Sequence, residues 1–242
     1  MTTTRVEPAA PADQGAARRL GLRRLRVPAT AGYLSALVVV STVFSVLSDS
    51  AQSKVVLHAS TNLHNLLDGR VSTLLASALV IGDVAGSWVL IPLLACLLAL
   101  AELRFGALHL VRVFLAGHIG ATLVVAGGLW VSVEAGWLPT SIRWAEDVGI
   151  SYGAMALVGA LVATVPPRWR WAWSGSWLLV SGGGVLLGQS FTNVGHLVSF
   201  CIGSIVGYCM IRAGAGTPRR LTKVEWGLLA VSVLLAVILL MG

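Results

Sequence analysis

Two short stretches carry residue types able to do chemistry. Gly149-Ile150-Ser151-Tyr152-Gly153 sets a serine hydroxyl among glycines, and Gly195-His196-Leu197-Val198-Ser199 sets an imidazole after one. A serine hydroxyl is a weak nucleophile. A neutral imidazole within about 2.6–3.2 Å can take its proton as it attacks a carbonyl and return that proton to the leaving amine. Each fragment alone also has a plainer reading. A helical serine often bonds a carbonyl one turn back, and a histidine among helices is often a satisfied polar core group. Ser151 and His196 form a pair only if the elements around them bring them together.

Those elements are set by composition. Of 242 residues, 56% are hydrophobic and 11% charged. A soluble domain carries about a quarter charged residues. This chain cannot cover its surface with polar groups, so most of it must face lipid or other helices. Residues 1–28 differ: they hold Arg5, Arg18, Arg19, Arg23, Arg24 and Arg26 among Ala, Pro and Gly, with no apolar period. They read as a disordered basic tail. Arginines beside a span set topology more often than they bind nucleic acid, so no nucleic-acid partner is expected.

Apolar runs long enough for spans fall at about 29–47, 88–101, 107–132, 149–165, 174–189, 191–211 and 225–241. A further apolar piece, 71–82, precedes the second and is parted from it by Gly82, Asp83, Gly86 and Ser87. Together they read as a half-inserted segment feeding a span. With the amino terminus inside, all but Lys54, Arg70 and Arg143 of the 17 lysines and arginines fall in inner segments. This bias places the tail in the cytoplasm and the chain in the cell membrane. The fourth and sixth spans then both run inward from the outer face. Ser151 and His196 each lie about one turn inside, at a shared depth.

Membrane helices approach closely where small residues line a face. The sixth span carries Gly195, Ser199, Gly203 and Gly207 at a spacing of four. The fourth carries Gly149, Gly153, Ala156, Ala160 and Ala163. Gly149, Gly153, Ser199 and Gly203 are the expected packing positions near the Ser151–His196 pair.

The order of these residues resembles the rhomboid intramembrane serine proteases. Gly149-Ile150-Ser151 is similar to the family's GxSG motif opening the fourth core span. His196 through Gly203 is similar to its HxxGxxxG motif opening the sixth. Arg70-Val71-Ser72-Thr73 resembles the RxxT element, and Glu102-Leu103-Arg104-Phe105-Gly106 the ExRxG element. The likeness covers about residues 29–212 and is closest to the divergent rhomboid-like proteins of actinobacteria. Tyr152, Ser199 and Gly69 stand where the family has Gly, Gly and Trp. The His and Asn that serve its oxyanion at the start of the second span have no counterpart in residues 74–101. Asn62, His64, Asn65 and Asn193 are substitutes by position, with capping or solvated roles the plainer reading.

The resemblance implies an all-α, polytopic membrane helix bundle: a basic tail (1–28), a six-span core (29–212), a basic inner linker (213–224) and a seventh helix (225–242). It implies a Ser151–His196 dyad cleaving membrane-spanning proteins near the outer face. The alternative is a catalytically inactive member that binds transmembrane clients. The expected partners are such a protein and the bilayer. No oligomeric state is assigned. Nucleotide fingerprints and metal-ligand clusters are lacking, so no cofactor and no metal are expected. Three other polar features have structural readings. His118 counts to about 20 Å deeper than the outer end of its span, too deep to join the pair, and should bond another helix. Glu102 and Arg104 should pair with each other. Asp83 should cap the helix that follows it. The tryptophans near span ends read as an interfacial belt.

Overall fold

The computed structural model describes residues 26–82, 84–148, 150–188, 190–214 and 220–241. Most of the basic tail, Asp83 and Gly149 lie outside the described residues. Ten α-helices follow one another, with no strand among the described residues. They are α1 (Pro28–Ser45), α2 (Asp49–Ala59), α3 (Leu63–Leu67), α4 (Thr73–Ala76), α5 (Val84–Phe105), α6 (Ala107–Glu134), α7 (Ser151–Ala160), α8 (Arg170–Gly188), α9 (Phe191–Arg212) and α10 (Lys223–Met241). Among the described residues, four are long and apolar enough to cross a membrane: α1, α5 from Ser87 to Phe105, α6 and α9. The apolar stretch Ser151–Thr164 is shorter, its last turn a 3-10 continuation ahead of Pro166 and Pro167. At 28 residues α6 is about 42 Å long, more than the roughly 30 Å of bilayer hydrocarbon.

The starts of α1 and α10 are tied to a single turn of α5. The Glu102 carboxylate, 4% exposed, accepts from the backbone N–H of Ala29 (3.0 Å) and of Thr30 (2.7 Å), and from the Thr30 hydroxyl (2.7 Å). A carboxylate is well placed there, because the first N–H groups of a helix have no internal partner and carry partial positive charge. Arg104 does not pair with Glu102 as expected. It donates to the Thr164 carbonyl (3.2 Å) and lies 3.7 Å from Glu225 of α10, both side chains almost wholly buried. Glu225 also accepts from the Thr222 N–H at 2.8 Å. Two residues apart on a helix point in different directions, which is why Glu102 and Arg104 serve different neighbours. α10 packs chiefly on α5.

Between α3 and α5 the chain turns into the bundle and back. Thr73 caps this turn through its hydroxyl, which donates to the Arg70 carbonyl at 2.7 Å. α4 and the 3-10 turn after it, Ser77–Leu79, wedge between α1 and α6. The Tyr33 hydroxyl donates to the Ala78 carbonyl (2.5 Å), and Ser77 Oγ meets His118 Nε2 (3.1 Å). Val80 is extended, and Val80 and Ile81 are buried. Irregular backbone of this kind survives in a bilayer only where protein covers it, and here α1 and α6 do so. The largest apolar cluster joins Leu37, Leu94, Leu98, Leu110, Phe114, Ile150 and Leu157, drawing on α1, α5, α6 and α7.

Candidate functional site

The tightest helix pair is α7 with α9. Small residues make it so. A methyl group on Gly203 would overlap the Ala156 carbonyl, and one on Gly207 would lie 2.8 Å from the Ala160 carbonyl oxygen. The backbones therefore touch across these positions. Ser199, fully buried, donates its hydroxyl to the Tyr152 carbonyl. Gly153 takes the edge of the Phe114 ring from α6. Gly117 of α6 closes the triangle, because any side chain there would strike Ala156 and the Ser199 hydroxyl.

Ser151 is the first residue of α7, after Ile150, and the helix has no side-chain cap. Its first-turn N–H groups therefore point outward from the helix end without an internal acceptor. His196 is in the second turn of α9, after the cap formed by Ser190 on the Asn193 N–H (3.2 Å). The His196 Nε2 is buried and has no hydrogen-bond partner among the described residues. No hydrogen bond joins it to Ser151 among those residues. Such an orphan ring nitrogen is uncommon in a folded interior and asks for a functional account.

Tyr152 fills the space between the two helices at this end. Its ring meets His196 edge-on, with centroids 5.5 Å apart, and lies 6.4 Å from the ring of His118. It packs on Gly195, which has no room for a side chain. Depth counted along α6 alone overstated the remoteness of His118. α6 is longer than the bilayer core is thick, so its outer end is a poor reference, and one tyrosine ring separates His118 from His196. Thr122 of α6 and Ser204 of α9 add further buried hydroxyls without partners among the described residues. A polar seam thus runs between α6, α7 and α9.

The loop before α7 is fastened to the α2–α3 corner. Thr61 donates its N–H and hydroxyl to the Asp147 carbonyl, both at 2.9 Å, and Ser60 Oγ accepts from the Asp147 N–H at 2.8 Å. The Asp147 side chain takes the Thr61 hydroxyl at 3.1 Å, and Tyr152 and Asp147 face each other. Burial pushes the Asp147 carboxyl above its ordinary range, against the smaller opposing effect of the hydrogen bond from the Thr61 hydroxyl.

None of the four positional substitutes is brought to the pair as a free donor. Asn62 caps α3, accepting from the Asn65 N–H at 2.8 Å. Asn65 donates to the carbonyls of Leu57 and Ser60. His64 lies over Trp144, centroids 3.6 Å apart, and 3.3 Å from Asp68. Asn193 donates to the Gly184 carbonyl at 2.8 Å. The sequence marked Tyr152 only as a departure from a glycine. The signal for its place was its size beside Gly153 and its reach toward a glycine in the partner stripe. No group of three or more possible metal-binding side chains occurs among the described residues.

Apolar helices of spanning length, a covered irregular stretch ahead of the second of them and a small-residue contact between α7 and α9 define a helical membrane protein. The profile of the rhomboid-like protein family matches residues 23–217, and the chain belongs to that family. Comparison with curated proteins and with solved structures gave no match.

Proposed function

We propose that the chain is an intramembrane serine protease of rhomboid type, acting on membrane-spanning proteins through Ser151 and His196. The observation that carries this reading is the buried, unpartnered Nε2 of His196, on the helix packed most closely against α7, whose first residue is Ser151. In the reaction Ser151 Oγ attacks the scissile carbonyl and His196 Nε2 takes its proton. The tetrahedral oxyanion draws on the uncapped N–H groups of the first turn of α7. Collapse breaks the C–N bond, and the imidazolium protonates the departing amine. Water, deprotonated by the same imidazole, then hydrolyses the acyl-enzyme and regenerates both groups. The polar seam of His118, Thr122, Tyr152 and Ser204 supports the presence of water at this depth. In the same reading the core has six spans with α10 as a seventh, the amino terminus is cytoplasmic, and the chain resides in the cell membrane.

A second reading is favoured by Tyr152. Its ring holds the space beside His196, and no hydrogen bond joins Ser151 to His196 among the described residues. On this reading the chain binds transmembrane clients without cutting them. A fluorophosphonate probe separates the two. Labelling of the purified protein that is lost in both Ser151→Ala and His196→Ala is expected for the protease. An unlabelled wild type, beside an active rhomboid that labels, favours the binder.

A further inference from the structure

At the basic end of the bundle a cleft of about 550 Å³ separates α10 from the core. It exists because α10 leans mainly on α5, held there by Arg104 and Glu225, and stands away from the turn that follows α7. Leu100, Leu161, Trp173, Trp226 and Leu229 form apolar walls, and Arg220 closes one side. The Trp173 wall is fixed, since its indole donates to the Val158 carbonyl at 3.1 Å. Exposed indoles of Trp169 and Trp226 border the opening. Such indoles sit at the level of lipid headgroups.

Among the described residues lining the cleft, the one charged side chain is that of Arg220. Arg220 and Lys223 are exposed and take part in no ion pair among the described residues. Glu225, the carboxylate nearest in sequence, is 1% exposed and lies against Arg104. The cleft therefore asks for a long apolar group ending in an anion. Its volume and its mostly apolar lining with few polar groups are those of a ligand site. The chain's own amino-terminal tail is basic, so the same charges repel it. An apolar helix of another protein would leave Arg220 without a partner. We propose that this cleft binds one anionic phospholipid, with an acyl chain against Leu100, Leu161 and Leu229 and its phosphate at Arg220.

The test uses the full chain, delipidated in neutral detergent and titrated with dioleoyl phosphatidylglycerol or dioleoyl phosphatidylcholine under native mass spectrometry. One phosphatidylglycerol should bind ~5-fold or more tightly than phosphatidylcholine, the preference expected of about one basic residue at a lipid phosphate. Arg220→Gln, an exposed change that leaves the fold intact, should abolish this preference. Leu229→Trp should fill the cleft and weaken both lipids. A photoreactive side chain at position 229 should give a lipid adduct in membranes. Equal affinity for the two lipids in the wild type, or an unchanged preference in Arg220→Gln, would overturn the proposal. So would a position-229 adduct to a second copy of the chain or to another protein.

Discussion

The ring of Tyr152 meets the imidazole of His196 edge-on at a centroid distance of 5.5 Å. The contact fixes one face of the histidine while its Nε2 stays unpartnered. If the ring orients the base, the ring matters and its hydroxyl does not. Tyr152→Phe should label with a fluorophosphonate within about twofold of wild type, and Tyr152→Ala should lose ~10-fold or more, the lower range of what positioned proton transfer contributes. Stronger labelling of Tyr152→Ala than of wild type would instead identify the ring as a plug.

The α7–α9 contact makes a graded prediction about glycines. Gly203→Ala drives a methyl into the Ala156 carbonyl, whereas Gly127→Ala on α6 meets nothing within 4 Å. Overpacking costs about 1–3 kcal/mol and more when backbone is struck. Thermal unfolding in detergent should show Gly203→Ala clearly destabilised and Gly127→Ala unchanged or slightly stabilised. Equal midpoints for the two variants would remove the close contact.

Glu102 satisfies two backbone donors and one hydroxyl at the start of α1. Glu102→Ala strands all three donors, and a cost of ~2–4 kcal/mol follows from losing charge-assisted bonds in a buried place. Glu102→Gln keeps an acceptor oxygen and should lose about half as much. Limited proteolysis near residue 28 reads the fraying of α1 directly. Resistance unchanged in Glu102→Ala would contradict the cap.

Arg104 and Glu225 form a buried ion pair, so removing one member takes the counter-ion from a buried charge. Arg104→Met and Glu225→Leu singly should each cost ~3–5 kcal/mol, and the double variant should recover most of that loss. The double-mutant cycle in chemical unfolding tests the coupling. Additive losses would mean that the two side chains act independently.

Asp147 lies in the loop ahead of α7, where burial raises its carboxyl above the ordinary value of 3.8. Its folded-state value exceeds the unfolded one. Its contribution to stability is therefore fully present below the unfolded value and is lost as pH rises through the folded one. Asp147→Asn should flatten the fall in stability over that range and raise the midpoint at neutral pH. A midpoint that falls at neutral pH in Asp147→Asn would show that the carboxylate's bond from Thr61 outweighs its burial.

The apolar runs made the helices legible, since their length is imposed by the bilayer. The break near Gly82 was legible for the same reason, because glycines and a carboxylate interrupt an otherwise continuous run. Helix limits were less so. α5 begins at Val84 rather than near residue 88, and α8 begins at Arg170 rather than near residue 174. The added first turns, Val84–Ser87 and Arg170–Trp173, mix small, polar and aromatic residues and so fall outside the longest apolar run. Pairings between distant residues were not legible. Glu102 meets Thr30 across 72 residues, and nothing in the local pattern distinguishes that carboxylate from one that bonds Arg104. The same holds for Ser77 with His118 and for Thr61 with Asp147. The small stripe on α9 was plain in the sequence. That a tyrosine ring would lie on its outer end was not, because a departure from a motif says nothing of where the larger side chain goes.

Glu102 and Arg104 hold the starts of α1 and α10 with two side chains of one turn. During biosynthesis the start of α1 must therefore wait for its acceptor until more than seventy further residues have left the ribosome. The Arg104 guanidinium waits again for the final segment to deliver Glu225. A chain truncated before α10 would retain the first latch while leaving the second open.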